Sequence, residues 1–257
     1  SYWASSPELP VTSSLVLDQL VVYSDFELPV GHRLLRDLDT MRDDLSDQLA
    51  VEASDEQVHV YLFKTPRRYK QFLKQYYPEF PDRRAFFVKT DVRLSVYTFW
   101  GDRIAEDLRH EVAHGYLHAS IPVLPLWLDE GLAEYFEVDA GEQGFNRSHA
   151  ELLDEQSGGA WQPDLRQLEE VTNFKELKQI QYAEAWLWVH FMLRTTPDRK
   201  KVLQDHLAGF QKRSTKPFSE VLFQAEPNAE QHLLEHLNSV RKLLSQDGTT
   251  AKLLESN

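Results

Sequence analysis

The sequence predicts an α+β fold. A mixed α/β N-terminal subdomain with a small sheet is expected over residues 1–100 and a mostly helical subdomain over residues 101–257, the two making one module. Two patterns carry this. Runs rich in β-branched and aromatic residues lie before Gly101, and beyond it apolar residues recur at helical spacing almost to the end. Size permits it, since 257 residues at 42% hydrophobic content can enclose a substantial core.

The elements follow in order. "LVLDQLVVY" (15–23) and "VHVYLF" (58–63) read as strands, and "GHRLLRDLDTMRDDLSDQLAV" between them as a helix, a β-α-β start. "RRYKQFLKQYY" reads as a helix closed by Pro78 and Pro81, and "AFFVK" and "RLSVYTFW" as strands turning at Thr90 and Asp91. Asp102 is a suitable cap for a helix running to about His118. Pro122 and Pro125 punctuate the loop after it, and a second helix reaches about Val138. Gly141 to Gly159 reads as loop or irregular helix. "YAEAWLWVHFML" reads as a buried helix whose aromatics fill the core rather than line a cleft, and "PDRKKVLQDHLAGF" and "NAEQHLLEHLNSVRKLL" as amphipathic helices. No internal repeat is visible, and the tail after Gly248 is expected to fray.

Charge and composition exclude several classes. A net charge of -13 argues against a nucleic-acid partner, because such surfaces gather Lys and Arg on one face. No apolar run approaches the roughly 20 residues of a membrane-spanning helix. "SYWASSPELP" has no leader character, yet the first residue is not Met; if a leader was removed, export or the cell envelope follows. With no cysteine there are no disulfides and no thiolate ligands, so any metal must be held by His, Asp or Glu.

"HEVAH", His110 to His114, is the one strong motif. Histidines at i and i+4 of a helix face the same way, so His110 and His114 can converge on one ion at about 2.1 Å each. Glu111 lies roughly 100° around the helix from His110, beside such an ion, where it can act as general base. Ile104, Leu108, Val112 and Tyr116 make an apolar stripe on the other side. His118 continues the histidine row, but its backbone is roughly 12 Å along the axis from His110, so it reads as an outer or surface residue. Leu117 and Ser120 stand where the metzincin pattern needs Gly and His, excluding that subclass. A third ligand could come from Asp129, Glu130, Glu134 or Glu137, all equally readable as solvated helix charges. However, Leu126, Trp127, Leu128, Leu132 and Phe136 are too apolar for an exposed helix, so some of these acids are buried and need partners. "HLLEH", His232 to His236, fits the inverted zinc motif but sits on a late amphipathic helix and reads as a surface face.

"HEVAH", fifteen residues, then "WLDEGLAEYF" resembles the gluzincin zinc metallopeptidases, and the whole chain, more diffusely, the bacterial peptidase MA-like proteins. The resemblance makes Glu130 the third zinc ligand and Glu134 the acid that orients a ligating histidine; Gly131 would let two helices approach closely. Tyr182 in "QIQYAEAWLWVHFML" is the candidate oxyanion donor, an aromatic in a buried helix being the other reading. The implied activity is zinc-dependent peptide-bond hydrolysis of a peptide or protein substrate. The aminopeptidase G-x-M-E-N segment is missing before His110, which favours an endopeptidase or narrow processing enzyme. Substrate is expected to pair along a sheet edge, with "RLSVYTFW" as the candidate strand. The rivals are a non-catalytic zinc protein and a degenerate peptidase kept for partner binding.

Overall fold

A computed structural model describes residues 9–156, 158, 161–211 and 216–254. The chain is α+β, with one five-stranded mixed sheet and helices throughout the remainder. It divides into two compact units, Ser1–Pro122 and Val123–Asn257.

In the first unit the run at 15–23 is not one strand. It is a hairpin of β1 (Ser13–Leu17) and β2 (Leu20–Ser24), turning at Asp18 in the left-handed region with φ 48°. Aspartate is among the few residues that tolerate this conformation, and its place between two apolar runs was the missed turn signal. Helix α1 (Arg33–Leu49) connects β2 to β3 (Val58–Phe63), and those strands pair in parallel, the expected β-α-β unit. His32 caps α1 by accepting from the Leu34 amide, and Leu34, Leu38, Met41, Leu45 and Leu49 are buried at the predicted spacing. Helix α2 (Pro66–Tyr76) starts with Thr65 as cap and Pro66 in its first turn and stops just before Pro78.

Strands β4 (Ala85–Thr90) and β5 (Arg93–Phe99) form the second hairpin. The sheet order is β1-β2-β3-β5-β4. β5 is therefore an interior strand, parallel to β3 and antiparallel to β4, and cannot offer the substrate-pairing edge expected of it. The edge on that side is β4. Alternation sends Tyr61, Phe63, Tyr97 and Phe86 into a cluster with Tyr69, Phe72 and Leu73 of α2, while Val58 and Val60 point to the opposite face.

Helix α3 (Ile104–Ser120) packs on that opposite face and against α1, where the Tyr116 hydroxyl donates to Leu38 O at 3.2 Å. Gly115 makes the approach possible, since a Cβ there would lie 2.6 Å from a Val58 methyl. Asp102 does not cap α3. The helix starts one residue later, with Arg103 at the cap position, and Arg103 pairs instead with Glu106.

The second unit is helical: α4 (Leu126–Phe136), a short 3-10 turn (Ala140–Glu142), α5 (Arg147–Gln156), α6 (Leu165–Glu170), α7 (Gln179–Arg194), α8 (Pro197–Gln211), α9 (Phe218–Ala225) and α10 (Ala229–Leu254). Two readings change. Part of the stretch read as loop is the regular helix α5, and α10 continues through Gly248 to Leu254 instead of fraying there. α7 is the axis, packed by α4, α5, α8 and α10, and its Trp186, Trp188 and Phe191 are fully buried, the core role expected of that aromatic run. Gly131 of α4 rests on α7, where a Cβ would meet Ala185 O at 2.6 Å. No helix among the described residues is long and apolar enough to cross a membrane.

Candidate metal centre

The site begins with the helical period. Ile104, Leu108, Val112 and Tyr116 are buried as one stripe of α3, which orients the helix and turns His110, His114 and His118 to another side. His110 Nε2 and His114 Nε2 lie 3.3 Å apart with their rings nearly perpendicular, at 78°. Two nitrogens bound to one tetrahedral ion at about 2.0–2.1 Å must be about 3.3–3.4 Å apart, so the pair already has the separation a shared zinc ion requires. Phe87 of β4 lies parallel to the His114 ring at 6.0 Å and to the His118 ring at 5.5 Å, steadying the row. Arg84 forks onto Asp107 with contacts of 2.7 and 3.0 Å and braces α3 from the start of β4.

Glu111 is buried on α3. Its charge, after burial itself and ahead of Asp107 and Asp82, helps hold the enclosed Tyr69 phenol well above the ordinary tyrosine range.

In the second unit Glu130 and Glu134 are buried one turn apart on α4, with Glu137 half-buried one turn further. The Glu134 Oε2 atom is 2.7 Å from His149 Nε2 and accepts from Asn146 Nδ2 at 3.4 Å; the same Nδ2 donates to Glu137 Oε1 at 2.7 Å. Asn146 and His149 were missed by the sequence reading. One signal was present: Asn146 precedes an apolar-periodic run, and it does cap α5, its Oδ1 accepting from the His149 amide at 3.4 Å. Tyr182 is buried in the first turn of α7, three residues before Ala185 and so on the side of that helix turned to α4.

Three groups of His, Asp and Glu among the described residues could hold a metal ion, each with one ligand atom per residue within 4.8 Å of the others: His110, His114 and Glu130; His114, His118 and Asp129; and His110, Glu134 and Glu137. The third is the weakest, because its carboxylates already accept from Asn146 and one of them faces His149. The second lacks the spacing argument that Nε2 geometry supplies for His110 and His114. The first has two imidazoles and a buried carboxylate, a nitrogen and oxygen donor set suited to zinc.

"HLLEH" makes no such group among the described residues. His232 pairs with Glu226, which Arg199 grips at 2.5 and 2.9 Å, while His236 turns the other way to His190 at 2.8 Å. The two histidines serve separate partners. Compared with known proteins, the chain matches no family model and no curated protein.

Proposed function

We propose that the chain is a zinc-dependent metallopeptidase of gluzincin type, with His110, His114 and Glu130 as the metal ligands. The observation that carries this is the pair of Nε2 atoms 3.3 Å apart, grouped with a buried glutamate. The resemblance of "HEVAH" and "WLDEGLAEYF" to that family supports it.

Zinc in such a site supplies a Lewis acid that polarises a scissile carbonyl and makes water acidic enough to attack near neutral pH. Glu111 takes a proton from the attacking water and passes it to the leaving amine. Tyr182 donates a hydrogen bond to the developing oxyanion, and Glu134 orients a ligating histidine. The substrate is a peptide or protein segment, lying extended against the outer edge of β4, with which no strand pairs among the described residues. Three protein ligands leave a coordination position open, which favours catalysis over a structural staple, since staples are normally closed by four ligands and often by thiolates.

Zinc content per chain, measured by elemental analysis after dialysis, tests the site, and a peptide-library screen tests the activity. About one zinc per chain with cleavage abolished in Glu111→Gln is the expected result. Retained cleavage in that variant, at unchanged zinc content, defeats the mechanism; a chain that holds no zinc after reloading defeats the metal assignment.

A further inference from the structure

The three acids of α4 raise an electrostatic difficulty. Glu130, Glu134 and Glu137 follow one another along a single stripe of the helix, two of them buried, so three like charges stand one turn apart with little water between them. An acid that serves a metal-ligating histidine must nevertheless be held in one orientation. Two residues of α5 and its cap meet that need. Asn146 divides its amide between Glu134 Oε2 at 3.4 Å and Glu137 Oε1 at 2.7 Å, and His149 places Nε2 2.7 Å from Glu134 Oε2.

Both residues are themselves held. Asn146 is buried and accepts from the His149 amide at 3.4 Å, so the cap of α5 and the carboxylates of α4 share one side chain. The His149 ring packs on Trp186 of α7 at 6.0 Å, and Trp186, fully buried, donates from Nε1 to Gly144 O at 2.8 Å. Helices α4, α5 and α7 therefore meet in a cross-braced polar cluster, an expensive arrangement to bury for fold stability alone.

We infer that Asn146 and His149 are positioning residues of the metal centre: they clamp the Glu134 carboxylate in the orientation from which it serves a ligating histidine. The inference rests on the zinc reading above, and through Glu134 it assigns a metal-related role to a segment outside both motif helices. His149 sets Nε2 against the Glu134 carboxylate at 2.7 Å, and Asn146 ties that carboxylate to Glu137 through one amide.

The test is zinc affinity, measured on the full chain by competition with a chromophoric chelator, for wild type, His149→Ala, His149→Gln, Asn146→Ala and Leu153→Ala. Leu153 is fully buried on α5 and takes no part in the polar contacts of Glu134 and Glu137 described above, so its truncation reports on loosening of α5 alone. Loss of outer-sphere support of this kind weakens metal binding by about tenfold or more. His149→Ala and Asn146→Ala should each show that loss, while His149→Gln, which keeps a polar side chain of similar reach beside the carboxylate and guards against a misfolded alanine variant, should recover most of it. Leu153→Ala should lower the unfolding temperature of the metal-free chain with affinity nearly unchanged. Equal affinity in wild type and both alanine variants overturns the inference and leaves the zinc reading standing. An equal loss in Leu153→Ala also overturns it, showing loosening rather than positioning. A wild-type chain that binds no zinc overturns the zinc reading and the inference with it.

Discussion

Replacing Gly131 with alanine sets two effects of known size against each other. The new Cβ would lie 2.6 Å from Ala185 O, 2.8 Å from its carbonyl carbon and 3.1 Å from Val189 Cγ2. A carbon rests against a carbonyl oxygen at about 3.3–3.6 Å, so α4 and α7 must part by several tenths of an ångström. The obstructing atoms are main chain, and no rotamer change removes them. Overpacking of this kind costs about 1–3 kcal/mol, whereas alanine's better helix propensity returns at most about 1 kcal/mol. A net loss of up to about 2 kcal/mol is expected, read as a lower urea midpoint at unchanged slope in the metal-free chain. Gly115→Ala is the matched comparison, because its Cβ meets Val58 methyls at 2.6 and 3.0 Å and a side chain yields more readily than backbone. Its loss should be the smaller of the two. A midpoint for Gly131→Ala at or above wild type would refute the reasoning, since it would mean the helices separate without cost.

Further outcomes follow from the same structure. Glu130→Gln keeps the shape of the side chain but removes its charge, so zinc affinity should fall at least tenfold while the metal-free unfolding temperature holds or rises; unchanged affinity in chelator competition would remove Glu130 from the ligand set. Stability should also depend on pH through the pair His190 and His236, whose ring nitrogens are 2.8 Å apart. Burial first, then the neighbouring His236 and Arg194, pulls His190 down to about 3, and burial with Arg199 pulls His236 down to about 4. The unfolded chain protonates both near 6.5 and the folded chain does not until far lower, so their stabilising effect is complete above about pH 6.5 and is lost as pH falls toward 4. Each histidine contributes a slope of about 1.4 kcal/mol per pH unit inside that window. Urea midpoints at pH 7, 6 and 5 should fall in order, and His190→Phe should flatten the decline; an equally steep decline in the variant would show that other groups carry it.

What the sequence determined alone is what depends on a few neighbouring residues. The 3.6-residue period brought His110 and His114 to one side of α3 and buried Ile104, Leu108, Val112 and Tyr116 on another, and this needs no knowledge of what packs there. The same local logic marked α1, α2 and α7, the stop of α2 before Pro78, and the β-α-β unit in which β2 and β3 pair in parallel. Tertiary structure decided what depends on distant partners. A strand's period is the same at an edge as in the interior, so only the pairing of β5 with both β3 and β4 could show that the edge belongs to β4. Likewise, nothing in the acids of α4 announces Asn146 and His149, because a buried carboxylate is satisfied by whichever donor the fold brings near, here across the turn into α5. The composition changes after Gly101, yet α3 belongs with the sheet, because Gly115 lets the helix settle onto Val58, and packing of that kind is a property of two surfaces rather than of one stretch of chain.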